Sequence, residues 1–307
     1  MQHQQRGFTL VELSIVLVVV GLLIGGVIAG RTVYKSTQLQ SVIADVDAYK
    51  KAALLFKEKY NALPGDITNA TDLWGTDTSC AYDATATTTT TATCNGNGDG
   101  FIAGVTYGPA VIDYINGESG DSTKFQMAEA TRLWQHLANA GFIPGQYSGA
   151  GYTVSSNYWW KSGINIPKSK INEGGYSMFY VLKNYNQYDY SSYAADYNHV
   201  ILFGGTAVRD PVTNTSLNGG RLVSNNYPIL SPIDALAIDK KADDGYASTG
   251  KILSFTTNGA AAFDGVYRSN STACSNSTYI TALSSSPYAK YLTTTSIECS
   301  LIFITGF

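Results

Sequence analysis

The chain has 307 residues, only 14% of them charged, and a net charge of -3. That balance leaves no basic field for nucleic acid, and no such partner is expected. The length accommodates one large or two small domains, and 22 Tyr and 30 Gly among many Ser, Thr and Asn suit a surface-exposed protein.

The first element is an apolar run from Phe8 to Gly30, 23 residues with a single charge, Glu12. At about 1.5 Å per residue a helix of this length reaches about 34 Å, enough to cross a hydrocarbon layer of about 30 Å. A secretory signal would put a basic start and an apolar core ahead of a small-residue cleavage site. Here the polar stretch Met1-Gln2-His3-Gln4-Gln5-Arg6-Gly7 comes first, and no Ala-x-Ala-like site follows.

Gly7-Phe8-Thr9-Leu10-Val11-Glu12 resembles the type IV prepilin signature, shared by type IV pilins and by the pseudopilins of type II secretion. The resemblance implies a leader, residues 1–7, that a prepilin peptidase removes between Gly7 and Phe8, followed by N-methylation of Phe8. It implies a precursor in the inner membrane, then a cell-surface filament. The partners it implies are other copies of the chain, other pilins and the inner-membrane assembly machinery.

A carboxylate near the end of an apolar span is costly and marks function or a partner. In the family the partner of the residue at the position of Glu12 is the amine of a neighbouring subunit's first residue, and the two hidden charges neutralise each other during assembly. The competing reading is that Glu12 lies shallow enough to reach headgroups and is tolerated there. Where the family often has a proline this chain has Ala29, with Gly21, Gly25, Gly26 and Gly30 around it. Glycine weakens a helix by about 1 kcal/mol per site relative to alanine, so local melting stays open; so does close helix packing in lipid.

From Arg31 the helix continues in amphipathic form. Leu39, Val42, Ile43, Val46, Tyr49, Ala53, Phe56 and Tyr60 recur at three- and four-residue spacing, which predicts one face packed on a head. Asn61-Ala62-Leu63-Pro64-Gly65-Asp66 ends it. The expected organisation is a filament-core or membrane half at 8–30, an amphipathic half at 31–61 and a globular head at 62–307. The expected fold class is α+β and pilin-like, the long N-terminal helix packing on an antiparallel sheet in an enlarged head.

Within the head, Asp83 to Thr93 is nearly all Thr and Ala and reads as an exposed loop between Cys80 and Cys94. In an exported body the four cysteines suggest two disulfides; three connectivities are possible, and the local pairs Cys80 with Cys94 and Cys274 with Cys299 are expected. Ser122 to Gly141 predicts a helix, with Thr123 and Gln126 as a capping box and Met127, Leu133, Trp134 and Leu137 as its apolar face. His136 lies on it with no second ligand at i+4. Tyr176 to Leu182, His199 to Phe203, Lys251 to Phe255 and Leu301 to Phe307 predict strands. A Tyr-rich stretch, Tyr185 to Tyr197, suits subunit contacts, sugar binding or packing on its own head. Ser231-Pro232-Ile233-Asp234 predicts a capped short helix to about Ala242.

Two acidic turns are candidate calcium sites. Asn95-Gly96-Asn97-Gly98-Asp99-Gly100 resembles the first half of an EF-hand loop, but the twelfth position is Thr106 where a bidentate Glu is required, so a complete EF-hand is excluded and a partial loop stays open. Asp239, Asp243 and Asp244 gather at the predicted end of a short helix, a position similar to the calcium loop of major pseudopilins; Lys240 and Lys241 are the alternative neutralisers. Gly245 to Ile252 nearly spells a phosphate loop, yet Ile252 stands where a magnesium-binding hydroxyl is needed. There is no HExxH or GxSxG, and nothing favours an enzyme. The reading is a structural pilin subunit, with a type II secretion pseudopilin as its rival and a membrane-anchored exported enzyme or glycan-binding module as the alternative from another class.

Overall fold

The computed structural model describes residues 9–78, 80, 88–102, 127–150, 152–154, 157–181, 198–205, 228–255, 274, 288, 297 and 299–307. Gly7 and Phe8, the Thr123 and Gln126 capping box, Thr106 and the Tyr185 to Tyr197 stretch lie outside these residues.

Helix α1 runs unbroken over Leu10–Tyr60, 51 residues and about 77 Å. Thr9 is its N-cap, and Asn61, at φ 53, closes it in the left-handed conformation that asparagine tolerates. The helix divides as its sequence does. Its most apolar 18-residue window is wholly unburied and long enough to cross a membrane, with Leu10 87% and Leu22 73% exposed. The second half buries Val42, Val46, Ala52, Ala53 and Phe56. All four glycines, Gly21, Gly25, Gly26 and Gly30, stay helical with open space beside them.

Three further helices follow among the described residues: α2 (Ala70–Trp74), α3 (Met127–Asn139) and α4 (Pro232–Ala242). Ser231 caps α4 as its sequence predicts, accepting from the Asp234 amide, with Pro232 in the first turn. The strands are β1 (Tyr152–Val154), β2 (Asn157–Trp159), β3 (Gly174–Val181), β4 (Asn198–Gly205), β5 (Ile252–Phe255) and β6 (Ser300–Ile304). β1 and β2 form a separate pair, and the other four make an antiparallel sheet in the order β3-β4-β6-β5. β4 sits between β3 and β6 and is buried along all but its first residue. That explains its near-continuous apolar run, for a strand covered on both faces has no side left for alternating polar residues.

The second half of α1 packs against this sheet and against α3. Tyr49 is the hinge of the packing: its ring meets Trp134 at 5.0 Å and Tyr176 at 5.2 Å, both edge-on. The Tyr176 hydroxyl donates to Asp45 at 3.0 Å, so the sheet is bonded to the helix as well as pressed on it. Burying each large side chain of this core contributes about 1.5–3 kcal/mol. Lys35 reaches Asp234 at 2.8 Å and fixes the first turn of α4 beside α1 where the helix leaves its apolar half. The result is an α+β, pilin-like fold.

Both cysteine pairs are local disulfides, Cys80–Cys94 and Cys274–Cys299. The first closes the threonine loop, whose last residues are more than a solvated tether. Thr88 to Thr91 are exposed, but their backbone is held along α3 by Gln135, which donates to Thr90 and Ala92 carbonyls at 2.8 and 2.9 Å, and by Asn139, which donates to Thr91 at 2.8 Å. The second disulfide secures the approach to β6, where Cys299 bridges Leu230.

Candidate functional site

Glu12 does not project freely from the apolar half of α1. Its Oε2 accepts from the Thr9 amide at 2.8 Å and from Thr9 Oγ1 at 2.9 Å, while its own amide donates to Thr9 Oγ1 at 3.2 Å. This reciprocal capping box satisfies two of the orphan donors at the helix start. It also folds the carboxylate back toward the N-terminal end, to within 2.8 Å of the Thr9 amide. The spacing Thr9-x-x-Glu12 is the sequence signal for it, and reading Glu12 only as a buried charge passes over that signal.

In the head, α4 ends in the acidic turn. Asp239, Asp243 and Asp244 each place an oxygen within 4.8 Å of the others, the one such cluster among the described residues. Asp239 is fully buried and accepts from the Tyr288 hydroxyl at 2.6 Å and the Gly245 amide at 2.8 Å. Burial pushes its carboxyl up to about 6; those two donors act against the rise, and the neighbouring carboxylates add to it. Asp243 accepts from the Lys251 and Ile252 amides, and Asp244 from the Tyr246 amide and the Thr249 hydroxyl. The amides of the phosphate-loop look-alike are thus spent on the chain's own carboxylate. Gly250, at φ +77, is required there, because a Cβ would collide with Asp243. Neither Lys240 nor Lys241 forms an ion pair with the cluster among the described residues.

The other acidic loop closes around a residue that its own motif does not contain. Asp66, 2% exposed, accepts from the amides of Gly98, Asp99 and Gly100 at 2.6, 3.0 and 3.0 Å. Burial raises its carboxyl and these amides act against that rise. The motif oxygens serve the loop itself: Asn95 Oδ1 accepts from the Thr71 amide, Asn97 Oδ1 from the Asp99 amide and Asp99 Oδ1 from the Phe101 amide. A Cβ at Gly96 would collide with the backbone of Gly65 and Asp66, which is why the loop can lie so close.

The histidines are structural in their geometry. His136 accepts from the Gly65 amide at Nδ1, so Nε2 carries the proton and donates to Thr93 Oγ1 at 2.9 Å. His199 accepts from the Ile102 amide at Nε2 and donates from Nδ1 to the Phe307 carbonyl at 3.0 Å. Burial is the main cause that holds His136 down at about 3 and His199 at about 4. Both are neutral, with no ring nitrogen left for chemistry. Beside His136, buried Arg132 pairs with Asp77 at 2.9 Å, tying the disulfide loop to α3.

Residues 2–28 match the family model described as the prokaryotic N-terminal methylation motif. They carry the signature of type IV pilins and pseudopilins, a motif that implies processing by prepilin peptidase and assembly as a pilin-type subunit. Neither the curated proteins nor the solved structures gave a match to the chain.

Proposed function

We propose that the chain is the structural subunit of a type IV pilus-like surface filament. The observation that carries this reading is the junction of the methylation motif with a helix whose apolar half is entirely unburied. Before assembly lipid covers that half; in the filament, neighbouring copies cover it, so the hydrophobic effect acts in both states. On this reading the leader is cut between Gly7 and Phe8, Phe8 is N-methylated, and its amine pairs with Glu12 of an adjacent subunit. Glu12 is already turned toward the N-terminal end by Thr9.

A type II secretion pseudopilin is the second reading, and the carboxylate cluster at the end of α4 favours it. Calcium, where the chain holds it, is assigned to Asp239, Asp243 and Asp244, whose oxygens converge within 4.8 Å of one another, rather than to Asn95, Asn97 and Asp99. Imaging of sheared surface filaments, with mass spectrometry of their subunits, tests the proposal. Filaments built of this chain beginning at methylated Phe8 support it; surface filaments that lack the chain overturn it.

A further inference from the structure

α4 lies beside α1 and runs in the same direction. Lys35 bonds to Asp234 in the first turn of α4 at 2.8 Å, and at the far end Lys241 and Ala242 border a cleft with Ile43, Ala44 and Asp47. The N-terminal end of α4 therefore points the way the apolar half of α1 leaves the head. Asp234 also accepts from the Ser231 hydroxyl at 2.7 Å, so its charge is satisfied twice over. Ile233, next to it and on the side of the apolar half, is 49% exposed.

Helix rise gives the height of this turn. At a tilt of about 20° the 23 residues from Phe8 to Gly30 rise about 32 Å, which fills a hydrocarbon layer of about 30 Å and puts Gly30 at its edge. α1 continues without a break, so Lys35 follows only about 7 Å beyond Gly30, at the outer limit of a headgroup layer about 5–7 Å thick. The Lys35-Asp234 ion pair holds the first turn of α4 at that height, with no linker between span and head. The residues of α1 just below it suit an interface. Arg31 is the first charge after the span, and Val33 and Tyr34 are 67% and 66% exposed. Gln38, one turn farther out, donates to the Tyr34 hydroxyl at 3.3 Å and draws the phenol's polar tip away from the span, as in an aromatic belt.

We propose that the first turn of α4 docks in the phospholipid headgroup layer of the membrane that the apolar half spans, with Ile233 as its apolar contact at the level of Val33 and Tyr34. This rests on the reading of the chain as a membrane-anchored precursor. The headgroup-acyl boundary takes up the apolar faces of surface helices to a depth of about 5–10 Å, which is the depth the ion pair gives to Ile233. The head is thus held to the membrane at two points, by the span and by α4, and it is lifted off the lipid when the subunit leaves the membrane.

The test uses the full-length chain reconstituted in vesicles of phosphatidylcholine and phosphatidylglycerol, a fraction of the lipids carrying a nitroxide quencher on the headgroup. A fluorophore is attached in turn at Tyr34→Cys, Ile233→Cys and Leu55→Cys, all exposed positions, and the melting transition confirms that each head is folded. Tyr34 reports the span itself; Leu55, about 35 Å beyond Gly30 along the membrane normal, reports water. Quenching at Ile233→Cys is expected within about twofold of that at Tyr34→Cys, and both on the order of tenfold above Leu55→Cys, because the headgroup layer is thin against that height. Strong quenching at Tyr34→Cys with Ile233→Cys no higher than Leu55→Cys overturns the docking. So does an Ile233→Cys label that is shielded only in assembled filaments, where a second copy of the chain would be what covers it. Weak quenching at all three positions overturns the membrane anchor instead.

Discussion

Thr9 and Glu12 cap each other at the head of a 51-residue helix, the carboxylate of one accepting both the amide and the hydroxyl of the other. In an isolated subunit this keeps the acid satisfied close to an apolar surface, where an unpartnered charge is expensive. It also turns the acid toward the N-terminal end of the helix.

Replacing Glu12 with Leu should therefore spare cleavage after Gly7 and impair assembly, because a neighbouring amine buried without its counter-charge costs on the order of 2.5–3.5 kcal/mol, or about 100-fold in association. Thr9→Ala keeps the charge and removes only the cap, a loss of about 1 kcal/mol, so its filaments should form in reduced amount. Normal filament yield from Glu12→Leu would show that the acid has no assembly role.

The buried histidines predict acid sensitivity of the head. Their folded-state values, about 3 for His136 and about 4 for His199, lie below the ordinary 6.5. The stability they contribute is therefore fully present above 6.5 and is lost as pH falls from there toward 4 and below. Melting temperature measured between pH 7 and pH 4 should decline across that window, and His199→Gln should flatten part of the decline. A His199→Gln head whose melting temperature falls as steeply as that of the wild type would contradict this.

Asp239 acts in the opposite sense. Its carboxyl is raised from 3.8 to about 6 in the folded chain, so the stability it contributes is present below the unfolded value and is lost as pH rises through about 6. Asp239→Asn should remove that loss, since an amide can still accept from Gly245 and donate to the Tyr288 oxygen. A calcium ion on the cluster would do likewise by holding the carboxylate ionised. Millimolar calcium is then expected to raise the melting temperature at pH 7.5, chelator to reverse it, and Asp243→Asn with Asp244→Asn to abolish the response. An unchanged melting curve with and without calcium would remove the ion from this site.

Opening the Cys80–Cys94 ring by paired Ser substitutions should cost about 3 kcal/mol in the chain-entropy account, or about 6–12 °C in melting temperature for a head of this size. The loop should remain docked at low temperature, because Gln135, Asn139 and the Arg132-Asp77 pair hold it independently of the sulfurs. Protease cleavage within the loop, compared in the two forms, checks this: rapid nicking of the variant in the cold would show that the disulfide alone retains it.

Much of the fold is legible in the order of residues. The amphipathic spacing of Val42, Val46, Ala53 and Phe56 predicts their burial, and the four apolar runs in the head are the strands β3 to β6. The short β1-β2 pair and α2 are not legible in this way, for elements of three to five residues carry too little periodicity. The candidate sites divide along the same line. Asp239, Asp243 and Asp244 are close in sequence and straddle the end of a helix, so their gathering is visible there. Asp66, which organises a loop more than 30 residues away, and Tyr288, which bonds Asp239 across 49 residues, leave no local trace.

What the chain's order of residues determines unaided is the N-terminal device and the spine: a methylation motif, a span of apolar residues and an amphipathic continuation are one-dimensional patterns, set by helix rise and periodicity alone. Tertiary structure decides what the buried acids of the head, Asp66 and Asp239, accept from. Whether a buried carboxylate accepts from a distant loop or from a tyrosine hydroxyl depends on which donors the fold brings within about 3 Å, a distance set by packing rather than by neighbours in the chain.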